Sequence, residues 1–224
     1  MTFGDGILRR SRVALLLALL GLPAPASADE LDITVRDDDG KPVESAVVYA
    51  IPLGDNGRPA RIAGPVAIDQ VDEEYVPYVT AVQVGTSVNF PNKDQIRHHV
   101  YSFSQVKKFE IPLYAGTPAK PVVFDKPGSV ALGCNIHDWM KAYVFVTESP
   151  YFAVTQASGK ATVELPPGDY AVEVWHPELK GDPASTSQRV SLTGAGSSLG
   201  FAIEQKRVWA PRRAPSSGGG GGYR

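Results

Sequence analysis

The sequence predicts an all-β protein, built as a sandwich or a Greek-key barrel. Apolar and polar residues alternate with period two, as over residues 31–35 and 170–174, which is typical of half-buried strands. Turn-forming groups such as Asp39-Gly40 and Lys126-Pro127-Gly128 stand between such segments. After residue 28, no stretch keeps a 3.6-residue apolar period long enough for a substantial helix.

The first 28 residues predict an export signal. Arginines at positions 9, 10 and 12 precede an apolar run over residues 13–22 and small residues at 26–28. This run is too short to cross a hydrocarbon core of about 30 Å, which needs about 20 helical residues. We expect cleavage after Ala28, a periplasmic or otherwise exported location, and no transmembrane anchor in the mature chain. The paired arginines leave the general secretory and twin-arginine routes both open.

The same alternation predicts further strands along the chain. Their apolar positions are Val82-Val84, Val88-Phe90, Val130-Leu132, Tyr143-Val144-Phe145-Val146 and Val163-Leu165. Turns are predicted at residues 55–57 and 166–169. The segment 206–224 is rich in proline, arginine and glycine, a composition that cannot repay the entropy of ordering. We expect it to be a disordered tail.

Two separated segments resemble the opening and closing halves of one β-sandwich. Residues 31–50 (LDITVRDDDGKPVESAVVYA) and 153–175 (AVTQASGKATVELPPGDYAVEVW) are similar to the halves of a carboxypeptidase-regulatory-like, transthyretin-like sandwich. The resemblance implies a discontinuous domain over residues 29–65 plus 149–205, with a second domain over residues 66–148 inserted in it. The alternative is one larger sandwich whose strands all share a core.

The composition excludes several classes of function. The 22 Lys and Arg residues are balanced by 24 Asp and Glu residues, so we expect no nucleic-acid partner. A single cysteine excludes an intramolecular disulfide, and four histidines are too few for the trinuclear cluster of a multicopper oxidase. The sequence offers no general acid–base pair and no nucleophile with its partners. We therefore do not expect an enzyme.

The candidate metal ligands are His98, Cys134, His137 and Met140. A thiolate, two imidazoles and a thioether are the ligand set of a mononuclear blue-copper site. Closed zinc sites use Cys and His without a thioether, and a binuclear purple copper centre needs two bridging thiolates. The spacing therefore predicts one copper ion, Cu(I) or Cu(II), in preference to an isolated cysteine and methionine buried for packing alone.

The local pattern explains how these ligands meet. The strand that ends near Leu132 leads into Cys134, and a short loop returns His137 and Met140 to the same point before the next strand begins. His98 comes from a distant strand end, so the metal would join two parts of the sandwich.

Residues 66–148 resemble the cupredoxins. The Cys-x2-His-x2-Met spacing of residues 134–140 is that of amicyanin, and VQVGTSVNFPNKDQIRHHV (82–100) resembles the family's glycine turn, strand, Asn-x-Asp loop and ligand histidine. The alignment places His98 at the ligand position and His99 where the family has asparagine. Successive strand residues face opposite sides, so one of the two enters the site, and His98 shares its parity with Val100.

The resemblance implies a cupredoxin Greek-key sandwich and an exported one-electron carrier. The whole arrangement is similar to exported proteins described as methylamine-utilisation or plastocyanin-like. Electrons would leave through His137 to transient redox partners that dock near His137 and Trp139. One alternative is a protein that binds or delivers copper without electron transfer, and another is a metal-free β-sandwich interaction module.

Three further residues each have two interpretations. Asn92 is a turn former or a tether for the ligand loop. Trp139 is a core residue or part of a docking surface. His176 is a polar residue at a strand end or a metal contact.

Overall fold

A computed structural model describes residues 1, 29–54, 64–118 and 120–206, and within these ranges the chain is all-β, as predicted. The strands are β1 (Asp29–Asp37), β2 (Val47–Pro52), β3 (Val66–Ala67), β4 (Asp69–Val71), β5 (Glu74–Val76), β6 (Val79–Gln83), β7 (Thr86–Asn89), β8 (His98–Ser102), β9 (Phe109–Tyr114), β10 (Val122–Phe124), β11 (Gly128–Gly133), β12 (Lys141–Thr147), β13 (Phe152–Val154), β14 (Lys160–Leu165), β15 (Gly168–Trp175), β16 (Gln188–Leu192) and β17 (Ser197–Ile203). A short 3-10 helix covers Pro183–Thr186.

Three of the predicted segments lie outside the described residues. They are the export signal up to residue 28, the turn at residues 55–57, and the tail beyond residue 206. In the ranges that are described, no helix is long and apolar enough to span a membrane.

Two sheets enclose a first hydrophobic core. One sheet has the strand order β14-β1-β17 and the other β13-β2-β15-β16. The alternation in β1 directs Leu31, Ile33 and Val35 into this core. The buried hydrophobic members of the core come from residues 31–50 and 151–203, which are far apart in sequence.

A second core lies between a five-stranded sheet, β6-β12-β11-β8-β9, and a three-stranded sheet, β10-β7-β3. Its buried members come from residues 68–146 and include Val100, Leu132, Cys134 and Met140. Strand β12 pairs antiparallel with β11 and parallel with β6. The cysteine and the methionine of the candidate ligand set therefore belong to this second core.

A small aromatic cluster joins the two cores. The Trp175 ring stacks on Phe145, with ring centroids 4.9 Å apart and an interplanar angle of 24°. Trp175 ends β15, whose sheet covers the first core, and Phe145 lies in β12, whose sheet covers the second. This distribution supports a division into residues 29–65 plus 149–205 and residues 66–148, which stays a prediction.

The β4–β5 hairpin stands beside the segment that leads into β8. Val71 pairs with Glu74 across a two-residue turn. The turn residues Asp72 and Glu73 have φ values of 53° and 60°, as a type I′ turn requires. The Gln70 amide donates to the Pro91 carbonyl at 2.9 Å, so the turn is fixed relative to the chain just before β8.

Candidate metal centre

The Cys134–Met140 loop closes the β11–β12 hairpin. β11 ends at Gly133, which pairs with Lys141 at the start of β12. The Met140 amide donates to the His137 carbonyl at 3.0 Å, which turns the loop back on itself. Cys134 therefore lies at a strand end, where the sequence predicts it.

Strand β8 brings His98 to the same region from another part of the chain. Gly133 at the end of β11 pairs with Tyr101 in β8, so the two strands are neighbours. The pairing of β8 with β9 shifts between His98 and Val100, where β9 carries an extra residue. Such a β-bulge bends and twists the strand, and Pro112, which lies in that stretch of β9 and has no N–H, is tolerated there.

His98 and His99 meet different partners, although both are buried. The Nε2 atom of His98 lies 2.7 Å from Asp94 Oδ2, whereas Nε2 of His99 lies 3.0 Å from Glu110 Oε1. Adjacent strand residues face opposite sides. Of the two histidines, His98 belongs to the donor group of the candidate metal centre.

Three donor side chains converge at the end of the β11–β12 hairpin. The donor atoms of His98, Cys134 and His137 all lie within 4.8 Å of one another, and Cys134 Sγ is 3.9 Å from His137 Nδ1. The two imidazole rings meet edge to face, with centroids 5.1 Å apart. In the described part of the chain, no second group of three or more His, Cys, Asp or Glu donors comes this close.

The geometry of these donors fits a metal ion. His98 Nδ1 is buried without a hydrogen-bond partner, while Nε2 of the same ring is bonded to Asp94. A buried polar atom without a partner costs about 1–3 kcal/mol, and a metal bond would remove that cost. A first-row metal bonded to sulfur at about 2.3 Å and nitrogen at about 2.0 Å, at a trigonal angle, separates these atoms by about 3.7 Å. The Cys134–His137 distance of 3.9 Å agrees with this spacing.

Met140 is a buried neighbour of the donor group. It is 1% exposed and shares the second core with Cys134. A thioether is a soft, polarizable group that suits Cu(I). Its place in the ligand loop is consistent with a weak fourth ligand, and coordination by its sulfur stays a prediction.

Asp94 is anchored on several sides. Its carboxylate accepts hydrogen bonds from the Asp72 amide at 2.7 Å and the Glu73 amide at 2.9 Å, in addition to its bond with His98. Burial raises the pKa of the Asp94 carboxyl, but the hydrogen bonds from Glu73, His98 and Asp72 outweigh it and hold the pKa below its ordinary value. Asp94 is therefore an ionised acceptor, and the His98 Nε2 atom donates to it.

Asn92 organises the segment that precedes β8. Its Oδ1 atom accepts from the Asp94 amide at 2.9 Å. Its Nδ2 atom donates to the carbonyls of Ile96 at 2.8 Å and Tyr114 at 2.9 Å. These bonds favour the turn-forming role of Asn92 over a tether for the Cys134–Met140 loop.

Tyr75 joins the two strands that carry His98 and lead into Cys134. Its hydroxyl oxygen lies 2.9 Å from the His99 carbonyl oxygen and 3.0 Å from that of Gly133, so the two carbonyls share its one proton. Burial, and then the nearby Cys134, raise the pKa of this phenol. The hydroxyl therefore keeps its proton and acts as a fixed donor between β8 and β11.

Trp139 and His176 have different contacts. The Trp139 ring packs partly against the second core, with its centroid 5.0 Å from that of His137. His176 follows β15, and its Nδ1 accepts from the Glu178 amide and the Gln205 side chain, both at 3.1 Å. His176 is therefore a polar residue at a strand end whose Nδ1 atom has hydrogen-bond partners. This agrees with its interpretation as a strand-end residue and not with a metal contact.

Sequence reasoning missed the roles of Asp94 and Tyr75. The four-residue spacing between Asp94 and His98 was the available signal for the first. Tyr75 gave none, because its two acceptors lie 24 and 58 positions further along the chain.

The comparisons with known proteins give partial matches to solved structures. No family model and no curated protein matches the chain. A copper-containing nitrite reductase from Thermus scotoductus SA-01 is similar over 44% of this chain and 25% of its own, at 27% identity and a TM-score of 0.36. A purple cupredoxin from Nitrosopumilus maritimus is similar over 37% of this chain and 99% of its own, at 22% identity and a TM-score of 0.33. A reduced Cu(I) form of an amicyanin mutant is similar over 44% of this chain and 99% of its own, at 21% identity and a TM-score of 0.35.

Proposed function

We propose that this chain is an exported blue-copper protein that carries one electron between redox partners. One copper ion would be held by His98, Cys134, His137 and Met140. The observation that supports this most directly is the convergence of three donor atoms within 4.8 Å at one hairpin end. Two imidazoles and a thiolate around one point, with a thioether in the same loop, form the donor set of such a centre.

Bound in this position, copper would supply a one-electron Cu(II)/Cu(I) couple. The side chains would define its surroundings. Cys134 and Met140 would supply soft donors. Because both lie in the second core, they would also keep water away from the ion. The antiparallel pairing of β11 with β12 extends to Gly133 and Lys141, which holds the loop in one shape for both oxidation states.

The proposed role is electron transfer and not catalysis. Four side chains would fill the coordination positions, so no open position is left for a substrate. Charge would enter and leave while the ligands stay in place, which suits a carrier.

A transient redox partner is proposed to dock around His137. Two exposed apolar side chains lie close in sequence to the histidine ligands: Ile136, next to His137, is 49% accessible, and Ile96, two residues before His98, is 44% accessible. The charged residues Arg97 and Asp138, directly beside the same histidines, are exposed as well. The His137 ring contacts those of His98 and Trp139, with ring centroids 5.1 and 5.0 Å away. Exposed apolar side chains near a redox group, beside charged ones, suit the weak, short-lived interfaces of such partners.

We further propose that residues 66–148 form the copper-binding domain. Residues 29–65 plus 149–205 would form the second, carboxypeptidase-regulatory-like sandwich. The separate memberships of the two hydrophobic cores support this division. The composition of residues 1–28 supports export.

An optical titration tests the proposal. Protein loaded with Cu(II) should bind one equivalent and gain an intense visible band from the thiolate. The Cys134→Ser and His98→Gln variants should lose this band. The matched His99→Gln variant should keep it, because His99 meets Glu110 instead of the donor group.

Voltammetry and dialysis separate the remaining outcomes. A reversible one-electron wave would support electron transfer. A colourless site that passes Cu(I) to an apo acceptor would instead indicate copper delivery. Protein that retains no copper after dialysis would overturn the proposal and favour a metal-free interaction module.

A further inference from the structure

Asp94 connects His98 to a turn that lies outside the donor group. The amides of Asp72 and Glu73 both donate to its carboxylate, at 2.7 and 2.9 Å. These two residues have positive φ values of 53° and 60°. Successive amides in such a turn can point to one side and form a concave anion-binding nest. Asp94 therefore meets donors that belong to the backbone of the β4–β5 hairpin.

The backbone of Asp94 is fixed as well as its carboxylate. Its amide donates to Asn92 Oδ1 at 2.9 Å, and Asn92 is held by the carbonyls of Ile96 and Tyr114. The carboxylate is thus restrained at both ends, and Oδ2 stays 2.7 Å from His98 Nε2. The imidazole, which is fully buried, has its orientation set by a rigid partner.

We infer that Asp94 is a positioning residue for the metal centre: it keeps the proton of His98 on Nε2, leaves Nδ1 free to bind copper, and favours Cu(II) over Cu(I). The inference rests on the proposed copper function. A carboxylate that accepts from the outer N–H of a ligating imidazole fixes the tautomer and makes the ring a stronger donor. A stronger donor stabilises the more highly charged ion.

His99 and Glu110 provide a matched control in the same protein. They make a similar contact, with Nε2 and Oε1 3.0 Å apart. The Glu110 side chain is 67% exposed, and His99 is not in the donor group. Glu110→Gln therefore alters a neighbouring histidine–carboxylate pair without touching His98.

The first experiment uses metal-free protein, so it does not depend on copper. Long-range proton–nitrogen correlation spectra of the 15N-labelled chain at neutral pH report which ring nitrogen of each histidine carries the proton. We expect His98 to be protonated at Nε2 in the wild-type protein and in Glu110→Gln. In Asp94→Ala, His98 should populate both tautomers.

The second experiment compares copper-loaded Asp94→Asn, Asp94→Ala and Glu110→Gln. Loss of an outer partner of this kind weakens metal binding by about 10–100-fold, and we expect Asp94→Ala to lose Cu(II) affinity by this factor and Cu(I) affinity by less. The reduction potential should then rise by about 59 mV for each factor of ten by which the loss of Cu(II) affinity exceeds the loss of Cu(I) affinity. Asp94→Asn keeps an acceptor oxygen without the charge, so its potential should lie between the wild type and Asp94→Ala. Glu110→Gln should match the wild type.

Two results would overturn the inference. One is a folded Asp94→Ala variant in which His98 stays protonated at Nε2 alone, as in the wild-type protein. If the alanine variant does not fold, the same result in folded Asp94→Asn counts instead. The other is a wild-type potential in a folded, copper-loaded Asp94 variant. Failure of the wild-type protein to bind copper, with the Nε2–H tautomer present, would overturn the proposed function and leave the positioning of His98 by Asp94 standing.

Discussion

The Tyr101 side chain lies against Gly133, the residue that precedes Cys134. A Cβ atom placed on Gly133 would stand 2.7 Å from Tyr101 Cζ and 2.8 Å from its hydroxyl oxygen. The two residues are also paired between β11 and β8. Glycine at position 133 leaves room for this ring, so a side chain there would have to displace the ring or part the strands that carry His98 and lead into Cys134.

Substitution of Gly133 by alanine should destabilise the fold and disturb the site. The added methyl would displace the Tyr101 ring or part the strands, and overpacking of this kind costs about 1–3 kcal/mol. Urea denaturation of the metal-free protein measures this cost, and a Cu(II) titration measures the effect on the site. We expect both stability and copper affinity to fall.

Two comparisons isolate the contact between Gly133 and Tyr101. Gly200→Ala, in β17, should be nearly neutral because a methyl there meets nothing within 4 Å. In a Tyr101→Ala background, Gly133→Ala should add little further loss. An equal cost with and without the Tyr101 ring would show that the contact is not responsible.

Replacement of Tyr75 by phenylalanine should weaken both the fold and the metal centre. The change removes the hydroxyl that donates to the His99 and Gly133 carbonyls, and an unsatisfied buried acceptor costs about 1–3 kcal/mol. Because the bond joins the strands on either side of the site, Cu(II) affinity should also fall. Urea denaturation and a copper titration measure the two effects.

Tyr170→Phe is the matched control for Tyr75→Phe. Its hydroxyl donates to the Pro166 carbonyl at 2.8 Å, beside the first core. This variant should lose a similar amount of stability while its copper affinity stays at the wild-type value. A loss of copper affinity in both variants would mean that general destabilisation, and not the bridge between strands, weakens the site.

The fold class, and the position of Cys134 and His137 in one hairpin loop, could be predicted because both depend on local pattern. Alternation in β1 requires only that Leu31, Ile33 and Val35 share one face. Cys134 and His137 lie in one hairpin loop, so their separation along the chain limits their separation in space. Nothing distant is needed to place them together.

The support around the site could not be predicted, because it depends on pairings between distant segments. The alignment and the parity with Val100 indicate His98, and the structure places His98 in the donor group, but neither signal reports what holds its ring in place. The His98 ring is held by Asp94, through the contact of its Nε2 atom with Oδ2. Asp94 in turn is held by the turn at Asp72, 22 positions earlier, and no period in the sequence reports that contact.

Removal of the Trp175 side chain should uncouple the two cores. Its ring stacks on Phe145 between the sheets, and loss of a buried tryptophan costs about 3–5 kcal/mol. We expect Trp175→Ala to unfold in two steps, with near-UV circular dichroism and the copper band no longer changing at the same urea concentration. Phe201→Ala opens a cavity within the first core alone. It should lose stability without uncoupling the two cores, because it leaves the contact between Trp175 and Phe145 in place. Coincident transitions in Trp175→Ala would show that the two cores unfold as one unit.

His176 should make stability depend on pH in mildly acidic solution. Burial lowers its pKa to about 4, and a hydrogen bond with the Glu44 backbone opposes this shift only in part. The pKa of histidine in an unfolded chain is about 6.5. The folded state therefore disfavours the protonated ring, and the stability associated with the neutral ring is complete above about pH 6.5.

As pH falls from 6.5 toward 4, the unfolded chain takes up a proton at His176 that the folded chain does not. Stability should fall by up to about 1.4 kcal/mol per pH unit over this window and level off below it. His176→Asn keeps an oxygen that can accept from the Glu178 amide but cannot titrate, so it should be less stable at pH 7 and should lose stability less steeply between pH 6.5 and 5. Urea denaturation of metal-free wild type and variant at several pH values gives the two slopes, and the other titrating groups cancel because both proteins contain them. Parallel slopes would show that His176 is protonated as readily in the folded chain as in the unfolded one.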